Sequence, residues 1–309
     1  MGPLHGIKVL DLSRILAGPW ATQCLADFGA TVWKIEKPGS GDDTRHWGPP
    51  WVRNGKGGDT GESAYFASTN RGKHSLAIDF TKPAGQHLVR SLAMHADVLI
   101  ENFKVGTLKK YRLGYESLKG VNPRLIYCSI SAFGQDGPAA NEPGYDAMIQ
   151  AISGLMSVTG VPDGEPGAGP VKVGVAVSDL VTGMYAATAV LAALIEREQS
   201  GRGEYIDLAL LDAQVAALAN QTLNYLVTGK SPIRRGTAHP NIVPYQAFPT
   251  KDAWLMLAVG NDRQFAALCK AAGKPRLAKD KRFATNAARV KNRDAVVSAV
   301  EKLCRTKTT

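Results

Sequence analysis

Short apolar runs alternate with longer amphipathic stretches through the first two thirds of the chain. Residues 7–12 (IKVLDL), 31–36 (TVWKIE), 74–80, 97–101 and 125–131 read as strands. Runs this short and this apolar suit strands covered on both faces. Between them, residues 21–28, 83–95, 105–121 and 145–158 have helical character, with Gly29 stopping the first. The alternation predicts an α/β fold, a mainly parallel sheet flanked by helices. Residues 37–73 interrupt it with a long irregular stretch rich in Gly, Pro and Asp. Trp47 and Trp51 in that stretch argue for an ordered, functional loop over a disordered one. A Gly/Pro-rich linker follows at 160–170. Beyond residue 226 the pattern changes. A loop at 233–240 leads to strands at 244–248 and 254–259, an antiparallel pair turning at Thr250-Lys251-Asp252, and helices start near 262 and 293. The expected division is a large domain, 1–226, and a smaller α+β domain, 227–309.

The stretch 173–213, VGVAVSDLVTGMYAATAVLAALIEREQSGRGEYIDLALLDA, organises the rest. Residues 173–177 read as a short strand. Residues 180–198 read as a helix with almost no charge before Glu196, hence buried nearly all round. Ser200-Gly201-Arg202-Gly203 stops it, and 205–211 read as the next strand. Asp179 stands at the mouth of this helix beside Ser178. Its plain role is to cap the first turn. Ser178 could cap instead, leaving Asp179 free, with the helix terminus holding it ionised as a usable nucleophile.

Composition narrows the function classes. An apolar fraction of 44% is that of a globular protein, and no apolar run reads as long enough to cross a bilayer. Residues 1–6 lead straight into a strand, which leaves no room for a signal peptide. Cys24, Cys128, Cys269 and Cys304 are too scattered for a zinc site or a disulfide framework, so a reducing cytoplasm is expected, with no metal and no prosthetic group. The net charge of +10 raises the question of nucleic acid, but its distribution answers against it. After Cys269 there are 12 Lys+Arg and 3 Asp+Glu, an excess of 12 − 3 = +9, and the lone Phe283 there is not the aromatic interleaving that a stacking platform requires. A solvated helical surface, or a piece whose acidic counterpart lies elsewhere, is the reading. The turn 13–19 (SRILAGP) lacks the Gly-x-Gly-x-x-Gly and P-loop spacings, although Ala17 and Gly18 would let a ligand approach the backbone there.

Taken together, several motifs resemble the family III (CaiB/BaiF) CoA-transferases. They are Gly41-Asp42-x-x-Arg45 with Gly48-Pro49-Pro50, Ser178-Asp179-Leu180-x-Thr182-Gly183, the Ala-rich helix, Gly201-Arg202-Gly203, and Ile206-Asp207 with Leu210-Leu211-Asp212-Ala213. Each is weak alone; their order along nearly the whole chain is specific. The resemblance implies a Rossmann-like large domain and Asp179 as the nucleophile that attacks an acyl-CoA thioester. It places CoA contacts at Ile15, Lys37, Asn102, Phe103 and Lys110. Arg71 and Lys73, in Asn70-Arg71-Gly72-Lys73, and Arg112 are further candidate cations. Each of these cations alone reads as solvated surface, but together they fall near the carboxyl ends of strands, where ligands bind in such sheets. The implied partners are an acyl-CoA and a carboxylic acid, with CoA as substrate and an interlocked homodimer as assembly, and with no nucleic acid or membrane.

Within that family, Leu16 departs from the oxalate/formate branch, which carries Gln there, and the nearest resemblance is to succinyl-CoA:glutarate-type members. Tyr145 in Gly144-Tyr145-Asp146 stands where the related racemases carry a histidine base, which favours a transferase over an isomerase. Asp146 reads first as a helix cap, and His239 equally as a loop-ordering residue or a substrate contact, near Gly260-Asn261. The family continues beyond residue 309 to close a ring, so a short C-terminus is expected to weaken the dimer. A non-catalytic acyl-CoA binder stays open as an alternative.

Overall fold

The structure, a computed structural model, describes residues 2–309. Ten strands and thirteen helices follow in chain order: β1 (Lys8–Asp11), α1 (Ala17–Asp27), β2 (Thr31–Glu36), β3 (Trp51–Arg53), β4 (Asp59–Ser63), α2 (Ala64–Asn70), β5 (Lys73–Ala77), α3 (Pro83–His95), β6 (Val98–Glu101), α4 (Thr107–Lys110), α5 (Tyr115–Leu118), β7 (Ile126–Ser131), α6 (Asp146–Ile152), α7 (Leu155–Val158), α8 (Val177–Ser200), β8 (Tyr205–Ala209), α9 (Leu210–Ala217), α10 (Asn220–Thr228), β9 (Tyr245–Pro249), β10 (Trp254–Ala258), α11 (Asp262–Ala271), α12 (Asn286–Lys291) and α13 (Arg293–Cys304). They fall into two compact units. The first holds 1–156 and 172–231, the second 157–171 and 232–309, so the segment read as a linker belongs with the second unit.

The first unit is built on a six-stranded parallel sheet in the order β5-β2-β1-β6-β7-β8. Alternate residues of each strand feed opposite faces. Val9, Val98, Ile100, Ile126 and Cys128 meet α1 and α8 on one side. Leu10, Leu99, Leu125 and Tyr127 meet α3 and the α4–α5 segment on the other. That double coverage is why β6 (VLIE) is buried at every position. Renumbered by rank, the strand order is 3-2-1-4-5-6, the doubly wound arrangement whose chain direction reverses between β1 and β6. The turns leaving β1 and β6, residues 12–17 and 102–106, therefore splay apart and open a crevice at the strands' carboxyl ends.

Several elements differ from the sequence expectation. Helix α1 starts four residues early, at Ala17, because Pro19 lies in the first turn, where a missing N–H costs no intrahelical bond. Residues 173–177 are not a strand. Val175 is exposed, and the helix already begins at Val177. The expected helix 105–121 is two short helices, broken where Arg112 takes a left-handed φ of 56°. Residues 37–73 contain the β3–β4 hairpin and α2, anchored by Ser63, which caps α2 at Phe66 N.

At 24 residues and a mean hydropathy of 1.5, α8 is long and apolar enough by composition to cross a membrane, contrary to the expectation that no run would be. In the fold it is a core helix. It packs on α1, α6, α9 and β7, with Thr182, Ala186, Ala187 and Val190 buried. Gly183 allows the closest approach, since a Cβ there would meet the Ala17 carbonyl oxygen at 2.6 Å. Gly201, with φ 70°, ends the helix as expected.

The second unit carries the predicted antiparallel pair β9–β10 and helices α11–α13 around Val243, Phe248, Phe265, Val296 and Val300. Fully buried Arg289 crosses this core, donating to the Val243 and Phe283 carbonyls and pairing with Asp262 at 2.8 Å. The apolar face of α13 (Val296, Val297, Val300) is thus partnered within the unit.

Candidate active site

Asp179 sits in the first turn of α8, and the amides of that turn are all engaged. Val177 N donates to Val175 O at 2.9 Å and Leu180 N to Ala176 O at 3.1 Å. Ser178 N and Asp179 N donate to Asp146 Oδ1, at 2.8 and 3.4 Å. Asp146 does cap a helix, but the helix is α8, not the one it opens. Gln150, one turn further along α6, donates to Asp146 Oδ2 at 2.6 Å and accepts from Val173 N at 2.8 Å. This pair ties the 173–175 segment to the helix start. Ser178, expected as the cap, turns inward and donates to Gln214 Oε1 of α9 at 2.8 Å.

The electrostatics of Asp179 follow from this. Burial, with the like charge of Asp146 beside it, pushes its carboxyl up to about 7. The expectation that free helix amides hold it firmly ionised is therefore corrected: two of those amides are spent on Asp146 and two on backbone carbonyls. Among the described residues, none donates a hydrogen bond to the Asp179 carboxylate.

Asp179 lines a cavity of about 290 Å³ together with Ile15, Leu16, Ala17, Asn102, Phe103 and Asp146. A second cavity of about 410 Å³, lined by Leu12, Ile35, Lys37, Ile78, Phe80 and Phe103, adjoins it; Arg14, Asp43 and Phe103 belong to both. The two form one groove at the crevice where the sheet reverses. Arg14 stands at the junction. Its guanidinium lies over the Phe103 ring at 5.4 Å and pairs with Asp43 at 2.8 Å, and its backbone N and O bond the Asn102 side chain at 2.8 and 2.7 Å. The outer part of the groove has apolar walls that suit a flat heteroaromatic group, and a rim of mixed charge in which Lys37 and Arg14 stand among Glu36, Asp42, Asp43 and Asp79.

The β1–α1 turn is held in an unusual shape. Ile15 adopts φ 70°, a left-handed conformation that a β-branched residue rarely takes. Its N–H points to the Asp42 carboxylate, at 3.3 Å to the nearer oxygen. Asp42 pairs with Lys34 at 3.0 Å, both side chains nearly fully buried, and Lys34 also donates to Ser13 O at 2.9 Å. Asp11 accepts from Ser13 N, Ser13 Oγ and Thr22 Oγ1 and pairs with Lys73 at 3.0 Å. Burial alone would raise the Asp11 carboxyl, but Lys73 and Lys34 overcome it and hold it down at about 2. Strain of this kind persists only where the surroundings over-determine it, and it concentrates at functional sites.

The profile of CoA-transferase family III matches residues 4–309. The chain belongs to CoA-transferase family III. It is 56% identical over 288 residues to the succinate–glutarate CoA-transferase of Agrobacterium fabrum, covering 93% of this chain and 71% of that one. It is 48% identical to the succinyl-CoA:glutarate CoA-transferase of Mus musculus, covering 96% and 66%. It thus spans about two thirds of these relatives' length. A CaiB/BaiF family protein from Brucella suis superposes with a TM-score of 0.83 at 51% identity, over 99% of this chain and 79% of that one.

For a family III chain, the groove sorts the residues singled out in the sequence. Asp179, Ile15, Asn102 and Phe103 share the inner cavity, and Lys37 lines the outer one. Four candidate cations are not brought to the groove: Lys73, Arg71, Lys110 and Arg112, the last standing in the break between α4 and α5. Lys73 is locked inside by Asp11, Asn70 Oδ1 and Pro19 O, so its charge is consumed by the fold. Arg71 clasps Asp27, and Lys110 lies exposed on α4 and lines neither cavity. Tyr145 is 75% exposed at the start of α6. In the second unit, His239 accepts from Asn241 N through Nδ1 and stacks on Tyr245 at 5.3 Å, and Asn261 caps α11, both loop-ordering roles. Sequence reasoning missed Arg14, which has no motif of its own, and Tyr65. Burial, then the charge of Asp179, then that of Asp146, push the Tyr65 phenol up to about 12. Its ring meets Trp47 edge-on at 5.1 Å. The aromatic residues of the 37–73 loop were the available signal.

Proposed function

We propose that the protein moves CoA reversibly from the CoA thioester of a dicarboxylic acid, succinyl-CoA being the model donor, to a free carboxylic acid such as glutarate. The observation that carries this reading is the Asp179 carboxyl: partly buried, with no hydrogen-bond donor among the described residues, facing a cavity that adjoins the apolar-walled outer groove where Lys37 and Arg14 stand. The names of the relatives give the acids.

Asp179 Oδ attacks the thioester carbonyl. The C–S bond breaks, CoA leaves as thiolate, and an acyl-aspartyl anhydride remains. The thiolate attacks the aspartyl carbonyl of that anhydride, expelling the donor acid as its carboxylate and leaving an aspartyl-CoA thioester. The acceptor carboxylate then attacks this thioester, and the released thiolate attacks the acceptor's acyl carbon, which frees Asp179. One thioester replaces another, so the task is to stabilise each oxyanion and exclude water. The start of α1, which no side chain caps, lines the same cavity and offers backbone donors for an oxyanion. Asp146 keeps the helix turn rigid, and its charge, after burial, raises the basicity of the nucleophile.

The test is exchange between succinyl-CoA and a panel of free acids, followed by chromatography of the thioesters. New acyl-CoA that depends on the free acid and disappears in Asp179→Ala supports the reading. Hydrolysis without exchange, or exchange surviving in the variant, refutes it.

A further inference from the structure

We propose that Glu101 is a positioning residue for the acyl-CoA groove, setting the turn that carries Asn102 and Phe103 and, through its ionisation, tuning how tightly the CoA moiety is held. This rests on reading the groove as the CoA site. Glu101 ends β6 at the crevice, its side chain buried. One carboxyl oxygen accepts the Phe103 N–H at 2.9 Å, and the other accepts the Ser129 hydroxyl. Ser129 in turn accepts from Gln135 Nε2 at 2.8 Å. The turn held in this way presents Phe103 to both parts of the groove, against Phe80 at 5.5 Å and under the Arg14 guanidinium, while Asn102 grips the Arg14 backbone. Glu101 itself lines neither cavity of the groove.

A buried carboxyl of this kind is normally paired with a cation. Among the described residues, none forms an ion pair with Glu101. The groups around it are Asp207 and Tyr205 on β8 and Tyr127 and Cys128 on β7. Lys104, Lys109 and Glu116 line with it a cavity of about 530 Å³. Burial pushes Glu101 up to about 7, against the bonds from Ser129 and Phe103 and together with the charge of Asp207. The carboxylate is the stronger acceptor for the Phe103 N–H and the Ser129 hydroxyl. Protonation turns one acceptor into a donor and forces Ser129 to reorient, which loosens the turn.

The test measures acyl-CoA KM, kcat and CoA affinity from pH 5.5 to 8.5 for the full chain, Glu101→Gln and Glu101→Ala. The ratio of each variant to the parent removes the titration of CoA's own phosphates. The parent's KM should fall as pH rises through about 7 relative to Glu101→Gln, whose amide still accepts from Phe103 N but does not titrate. Glu101→Ala should raise KM roughly tenfold, the loss expected of one charge-assisted hydrogen bond, with a smaller change in kcat. A KM–pH profile shared by parent and Glu101→Gln, or a loss in Glu101→Ala confined to kcat, overturns the proposal. A parent that binds no CoA at any pH refutes the functional reading beneath it.

Discussion

Replacing Asp179 by Asn should make the first unit more stable, and increasingly so as pH rises. The folded carboxyl sits at about 7 against 3.8 for the ordinary group, through burial first and the Asp146 charge second. The sign follows from proton counts. Between these two values the folded state binds more protons at this site than the unfolded chain does, so stability falls as pH increases through that window. The full span, 7 − 3.8 = 3.2 pH units, corresponds to about 4 kcal/mol. Solvent reaches part of the carboxyl, so a gain of roughly 2–3 kcal/mol, or about 5–10 °C in Tm, is the expected plateau above pH 7.5. Asn preserves the shape and removes the titration. The assay is urea or thermal unfolding of parent and Asp179→Asn from pH 4 to 8.5, taking the difference, in which all other titrating groups cancel. A difference near zero at pH 4 that grows to its plateau near pH 7.5 is expected. A flat difference, or a parent more stable than the variant at pH 8, would refute the electrostatic picture of the site.

Three further outcomes follow from the same geometry. Asp146→Asn keeps an acceptor for the Ser178 and Asp179 amides but removes the like charge, so the acidic limb of the kcat/KM–pH profile should move to lower pH, whereas Asp146→Ala should also lose about 1 kcal/mol of helix capping; an unmoved limb in Asp146→Asn argues against the coupling. Gly183→Ala drives a Cβ to 2.6 Å from the Ala17 carbonyl and 2.9 Å from the Trp20 ring, so it should cost about 1–3 kcal/mol and lower kcat by shifting the start of α1; wild-type stability would show that the α1–α8 contact yields. Lys37→Ala should raise the acyl-CoA KM several-fold with kcat nearly constant, because a contact far from the thioester binds ground and transition states alike, and an unchanged KM removes Lys37 from the site.

The sheet was legible because buried parallel strands are written as short apolar runs: 31–36 and the helix 83–95 coincide with β2 and α3. What was not legible arises from contacts between distant segments. Residues 173–177 have a strand's composition but pair with no strand of the sheet; Gln150 and the start of α8 hold them instead, as an extended lead into that helix. Lys73 and Lys37 look alike in the sequence; only the fold shows that Lys73 is consumed by Asp11 while Lys37 faces the groove. The cap on α8 comes from Asp146, 33 residues away from Asp179, a partner that local capping rules do not reveal. Arg14 escaped notice because its role depends on β1 and β6 being neighbours.

The central claim is a covalent bond between Asp179 and substrate. Incubation with succinyl-CoA, trapping with hydroxylamine and mass spectrometry of the digested protein tests it most directly. The account predicts a hydroxamate on the peptide containing Asp179, dependent on succinyl-CoA and missing from Asp179→Ala. An adduct on a different peptide, or turnover with none, would contradict it.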